Sequence, residues 1–375
     1  MSRNLWDMAM PNRTQTLLLG LIATILVGWV LSTGAAIIQP IVIALLLAIM
    51  LQPVVVTLAK IGIPPAATVV VITGALFMGL VQLGLVLQSN VTSFISSASV
   101  AGQENPGGWD KIKAKLVEII SGWELPETVK HYLTTALGEM DIAGLGEGLL
   151  VSSVGFLRGL VLVLIYMVFI FAEQAIFRRK ILSIANERRD EAAEMLSTMG
   201  RGIQRYLGVK TVVSFLTGSL CYAVLQSLEI PYALLFGLLT FLLNYIPTFG
   251  SIIAGIFPML TALTMDGGVS KAIIVTITYL AVNLTLGSFI EPKILGRELN
   301  LSPLVVVISV VVWAGLWGIV GGFLAVPLTA ALQITLASSD ATRPIAVMLG
   351  SGPRRDRGKL QRLKKTLEQE EQPDS

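Results

Sequence analysis

Apolar residues run along this chain in long, nearly uninterrupted stretches, and the charged residues gather between them. The first stretch, Leu17 to Ile38, is 22 residues long. As a helix it spans roughly 33 Å, enough for about 30 Å of hydrocarbon. A second stretch, Ile41 to Leu58, starts just past Pro40, and Gly62, Pro64 and Pro65 predict a turn before a third, Ala66 to Leu87. Val154 to Ala172 and Thr211 to Leu228 repeat the pattern.

Two further stretches are too long for one straight crossing. Tyr232 to Met265 has 34 residues, about 51 Å of helix, and is interrupted by Asn244, Pro247, Gly250 and Gly255. Pro303 to Leu336 carries Gly315, Gly318, Gly321, Gly322 and Pro327. Between them lies Ala272 to Ile290, followed by the polar turn Glu291-Pro292-Lys293. Interrupted helices leave backbone groups unpaired, which a membrane tolerates only against protein or a water-filled cavity. The two broken stretches are therefore the strongest pointer to a transport path.

The intervening segments differ in charge. Residues 88–153 hold eight acidic residues against four lysines. There Trp109, Ile112, Leu116, Ile119 and Trp123 recur at helical spacing, which predicts a small helical insert. Residues 173–210 hold eight Lys/Arg and five Asp/Glu, and Arg343 to Thr366 holds eight Lys/Arg and one acid. Basic flanks mark the cytoplasmic side, so the 173–210 loop, the tail and, through Arg3 and Arg13, the N-terminus are expected inside. Counting each overlong stretch as one bent crossing gives eight spans and puts 88–153 outside. It also puts Lys293 and Arg297 outside, against the charge rule; a re-entrant 232–265 would reverse that placement.

Composition narrows the function classes. Hydrophobic residues make up 54% and charged residues 14%, where a soluble domain carries about 25% charge. The net charge is only +3. Cys221 and His131 are the sole cysteine and histidine, so neither a disulfide nor a Cys/His metal site is expected. The chain has no GxxxxGK[ST] loop, no dinucleotide fingerprint and no HExxH motif. No enzyme activity, cofactor, metal or nucleic-acid partner is expected.

The expected fold is an all-α polytopic membrane bundle of about eight transmembrane helices with broken or re-entrant segments. Its expected divisions are membrane helices 1–3 in 1–87, an outer insert in 88–153, a fourth helix in 154–172, a basic loop with helix extensions in 173–210, helices 5–8 in 211–342, and a basic tail in 343–375.

Several residues carry candidate chemistry. Glu291 is suited to titrating or binding a cation, and Lys293 to neutralising it or meeting an anion; an interfacial polar loop accounts for both equally well. Asn244 and Tyr245, beside the donor-less Pro247, are suited to solute contact or to repairing a helix break. Asn283 is suited to the pathway or to binding a neighbouring helix. Gly250, Pro292, Gly296, Gly318, Gly321 and Pro327 mark candidate breaks or gates, although Gly318 and Gly322 also have the spacing of close helix packing. Arg201, Arg205 and Lys210 are expected on an electropositive cytoplasmic surface. Leu360, Leu363 and Leu367 lie on one face of a short amphipathic tail.

The C-terminal third also resembles a known family. The stretches concerned are Asn244-Tyr245-Ile246-Pro247 with Gly250-Ser251-Ile252-Ile253-Ala254, and Asn283 with Glu291-Pro292-Lys293-Ile294-Leu295-Gly296. They continue through Leu301-Ser302-Pro303-Leu304 and Trp317-Gly318 to Ala325-Val326-Pro327-Leu328. This order is similar to the AI-2E transporters, the PerM-like permeases. The resemblance implies a bacterial inner-membrane protein with eight membrane helices and an insert after the third. It also implies homo-oligomers, with autoinducer-2 as one cargo and cation/proton antiport in some relatives. The resulting expectation is a secondary exporter of a small polar metabolite, with sodium or protons as coupling ions and lipid around it. The alternatives are a monovalent cation/proton antiporter, an oligomeric channel and a non-transporting scaffold.

Overall fold

A computed structural model describes residues 13–99, 108–122, 126–139, 142–295 and 300–351. Trp123, Gly296, Arg297 and the tail beyond Ser351 lie outside the described residues. Among the described residues the chain is all helical, apart from one isolated bridge between Leu301 and Gly350. Among the described residues six stretches are long and apolar enough to cross a membrane: Ala35–Lys60, Pro65–Asn90, Gly159–Ile184, Asn186–Ser227, Gly268–Leu295 and Pro303–Ala337. The molecule is an all-α polytopic membrane protein. Its outward side chains agree: Trp29 is 65% exposed, Val70 66% and Phe169 62%, an apolar girdle that only lipid or another protein can cover.

The N-terminal part comprises α1 (Arg13–Thr33), α2 (Ala35–Lys60) and α3 (Pro65–Ser99). The first apolar stretch therefore ends four residues earlier than its composition suggests, at Gly34, where φ −82° and ψ 6° depart from helix. The insert contains α4 (Gly108–Ser121) and α5 (Glu127–Glu139), tied by Lys113 Nζ to the Gly138 carbonyl at 3.0 Å. Next, α6 (Ile142–Ile184) runs continuously through the expected fourth span and beyond both of its ends. Ala44 and Ala48 of α2 meet Leu164 and Met167 of α6 in a buried cluster, small residues letting the two helices approach.

A three-residue turn, Asn186–Arg188, leads to α7 (Arg189–Ser227), the axis of the C-terminal half. It starts at the basic end of the bundle and finishes at the insert end. There Leu225 joins a core with Phe236, Ala262 and Val275, against which Leu116 and Ile119 of α4 pack. Tyr232 Oη also donates to the Ser93 carbonyl of α3 at 3.1 Å.

The first overlong stretch is a helical hairpin. It forms α8 (Ala233–Leu243) and α9 (Phe249–Leu263), of 11 and 15 residues, roughly 16 and 22 Å, and neither crosses the hydrocarbon alone. The hairpin enters from the insert end and returns there. Close backbone contact between Gly218 of α7 and Gly237 of α8 seats its first limb. The next helix, α10 (Gly268–Val282), therefore starts at the insert end and runs back along α7. It passes through a π-helical segment, Asn283–Ile290, into α11 (Glu291–Leu295). Lys293 consequently lies beside α7, at the end of the bundle that carries the basic 173–210 region.

The second overlong stretch, α12 (Pro303–Ala337), folds back as well. At Gly318 φ is 63° and ψ −146°, a conformation essentially confined to glycine. Limbs 303–317 and 319–337 then lie side by side, with Trp313 Nε1 donating to Thr329 Oγ1 at 3.1 Å. In a straight helix those residues would be about 24 Å apart. Gly321 sits so close to the Trp313 carbonyl that any Cβ would collide with it. The spacing of Gly318 and Gly322 thus reflects a chain reversal at Gly318, while Gly322 lies under Ile246 of the first hairpin. The short α13 (Arg343–Leu349) packs back on α12, with Gln333 Nε2 donating to the Ala346 and Asn300 carbonyls at 3.3 and 3.1 Å. Pro327 is buried within the second limb.

Candidate functional site

The hairpin tips meet against the middle of α7. The first enters from the insert end and the second from the basic end. Where they touch, Tyr245 stacks on Phe323, ring centroids 4.3 Å apart and planes 15° from parallel. Ile246, Val310 and Ala325 close the contact below.

Tight backbone geometry makes the first tip. The chain leaves α8 at Asn244, turns through Pro247, and reaches Thr248 with φ 62° and ψ −49°, an unfavourable conformation for a β-branched residue. The Thr248 hydroxyl donates to the Pro247 carbonyl at 2.6 Å. Gly250 then passes against the Leu243 carbonyl, where a side chain does not fit. Pro247 and Gly250 therefore shape the turn, while Asn244 and Tyr245 provide its polar face.

That face meets a polar stripe on α7. Lys210, Ser214, Thr217 and Cys221 fall at i, i+4, i+7 and i+11 on one helical face, and all are buried. Asn244 Nδ2 donates to Ser214 Oγ at 3.0 Å. The Thr211 hydroxyl donates to the Leu207 carbonyl at 2.7 Å, so its 2.6 Å bond with Tyr245 has the phenol as donor. Nearer the insert end, Thr240 donates to the Phe236 carbonyl at 2.7 Å and accepts from Tyr279 at 2.9 Å by the same reasoning. Two hydroxyl pairs thus satisfy each other along α7 and α8, Thr240–Tyr279 buried and Thr211–Tyr245 half-buried.

An ion pair bounds this layer toward the basic end. Lys210 Nζ reaches both Glu291 oxygens, at 2.8 and 2.9 Å, with side-chain exposures of 5% and 13%. Glu291 is therefore neutralised by Lys210 from another helix. Lys293 is exposed on α11, as is Pro292, because two-residue spacing points the Lys293 and Glu291 side chains apart. Lys210, expected on an electropositive surface, is buried because α7, the π segment and α11 converge on it. Arg205 is exposed and donates to the Ile294 carbonyl at 3.1 Å, and Arg201 is exposed.

The π segment explains how Glu291 reaches Lys210. Its i→i+5 pattern shifts the following residues around the helix axis, and such segments recur at functional sites. Asn283 opens it, half-buried, with its amide oxygen 3.0 Å from the position a Gly287 Cβ would occupy. Among the described residues no group of His, Cys, Asp or Glu could hold a metal.

Sequence reasoning missed Thr211, Ser214, Thr240, Tyr279 and Thr248, and the partner of Glu291. A signal was available for Ser214 and Thr217: polar residues on one helical face, within an apolar stretch, that also carries Lys210. Nothing local signals Thr240 or Tyr279, whose pairing depends on how α8 and α10 meet.

Paired re-entrant helices around a buried polar layer, within a lipid-facing bundle, define the class as a multi-pass membrane transport protein. The chain belongs to the AI-2E transporter family, whose sequence pattern matches residues 18–340. It is 30% identical over 341 residues to a Haemophilus influenzae protein with a provisional transport description, covering 89% of this chain and 95% of that one. It is 27% identical over 343 residues to YhhT of Escherichia coli K12, also provisionally described as a transport protein, covering 91% and 96%. To the AI-2 transport protein TqsA of the same strain it is 42% identical over 147 residues, 39% of this chain and 42% of that one.

Proposed function

We propose that the protein is an alternating-access carrier for a small, uncharged, hydroxylated solute, with autoinducer-2 or a related signalling molecule as the first candidate. The observation carrying this reading is the meeting of two hairpins from opposite ends at a layer of paired hydroxyls. A hydroxyl can both donate and accept, so a hydroxylated solute can take over these bonds without leaving a buried group unpaired. The TqsA name supports the cargo chemistry.

The hairpin pairs with their preceding helices also form an inverted repeat. α7 followed by α8–α9, and α10–α11 followed by α12, are similar units running in opposite directions. In such transporters, exchange of conformation between repeats exposes one central site to each side in turn. Opening the α8–α9 tip would admit solute from the insert end, and opening the α12 tip from the basic end. The positive-inside rule assigns the basic end to the cytoplasm of a bacterial inner membrane, with both termini there and the 88–153 insert outside. Homo-oligomers in lipid complete this reading.

A second reading, monovalent cation/proton antiport, is favoured by the Lys210–Glu291 pair. A proton on Glu291 releases Lys210, and a sodium ion competes with Lys210 for the carboxylate. Purified protein in liposomes separates the two readings. Flux of autoinducer-2 that competes with other hydroxylated solutes, and falls at least tenfold in Ser214→Ala/Tyr245→Phe, supports the carrier. Sodium–proton exchange without solute flux, abolished in Glu291→Gln, supports the antiporter. Neither flux from well-folded protein overturns both.

A further inference from the structure

A cavity lies away from the hairpin tips. At the basic end a cleft of about 650 Å³ opens between the start of α7 and the last turn of α12. Its floor has the half-buried apolar Met195 and Ile334, beside Thr198 and Ser338, and its rim carries Glu191, Glu194 and Arg188. Glu191 and Glu194 are exposed, and no ion pair engages either among the described residues.

We propose that the chain's own segment 354–367 docks in this cleft. The segment has seven Lys/Arg against Asp356 up to residue 365, which complements the two rim carboxylates. Leu360, Leu363 and Leu367, at i, i+3 and i+7, give it the apolar face the floor requires. The described chain also ends beside the cleft. Ser351 N donates to the Asn300 carbonyl at 3.0 Å, the same oxygen that accepts from Gln333, one residue before Ile334. From Ser351 to Leu360 there are nine residues, a reach of up to about 30 Å when extended.

The docking is tested in full-length protein in neutral detergent, in a Cys221→Ser background carrying Met195→Cys and Leu363→Cys. Disulfide formation within one chain is expected, slowed at least tenfold by Glu191→Lys/Glu194→Lys and recovered by adding Lys364→Glu/Lys365→Glu. Cross-linking that ignores these charges overturns the proposal. So does cross-linking only between chains, which assigns the cleft to a second copy. Protection of the segment from proteolysis only on vesicles of anionic lipid also overturns it and assigns the segment to the membrane surface.

Discussion

Replacing Lys210 by methionine tests the site's physics most directly. Methionine keeps much of the length and volume and removes the ammonium that bridges both Glu291 oxygens at 2.8 and 2.9 Å. The carboxylate, only 13% exposed, then has no counter-charge in a low-dielectric layer. Breaking a buried pair from one side costs about 3–5 kcal/mol, roughly two to nearly four orders of magnitude in the folded-to-unfolded ratio. Removing both charges, in Lys210→Met/Glu291→Leu, leaves two apolar side chains of similar size and should return stability close to wild type. The expected coupling between the sites is therefore at least about 2 kcal/mol. Unfolding of purified protein by a graded denaturing detergent reads it, using both single variants and the double. If the single effects add to within about 0.5 kcal/mol, the pair is not buried as described and the reasoning fails. A stable double variant that carries no solute would separate the pair's role in transport from its role in folding.

Other substitutions probe the hairpins. Gly318→Ala should cost on the order of 1–3 kcal/mol, because alanine rarely adopts the reversal conformation. In a cysteine-free background it should also abolish cross-linking between Trp313→Cys and Thr329→Cys; retained cross-linking would mean the fold-back does not depend on glycine. Gly250→Ala should lower folded yield and the thermal midpoint by about 1–3 kcal/mol equivalent, since its Cβ meets the Leu243 carbonyl. An unchanged midpoint there would contradict the tight first tip. Tyr245→Phe keeps the stack on Phe323 and loses only the bond to Thr211, so the midpoint should fall by about 0.5–1.5 kcal/mol equivalent. A loss above 3 kcal/mol would show that the phenol does more than pair with Thr211.

The apolar stretches made the helical membrane class legible, and the Gly/Pro interruptions located both hairpin turns. The form of the interruptions was less accessible. A kinked crossing and a fold-back have the same composition; the Gly318 dihedrals, the Trp313–Thr329 bond and the Leu243–Gly250 approach distinguish them. Glu291 stood out as a carboxylate at a span end. Its partner did not, because Lys210 lies 81 residues away and looked like one more charge in a basic loop. The hydroxyl pairs were hidden for a related reason: threonine and serine are unremarkable inside apolar helices, where they can bond to their own backbone. Their meaning emerges only when α7, α8 and α10 bring them face to face.

The fold-back of α8 and α9 has a practical consequence for topology mapping. Reporter domains fused at Ile230 and at Gly267 should emerge on one and the same side of the membrane, despite 36 mostly greasy residues between them. A hydropathy plot registers that interval as a passage, and every assignment downstream then inverts. For this chain, sidedness should be calibrated from fusions flanking α7 and the whole Gly268–Leu295 stretch, each long and apolar enough to cross.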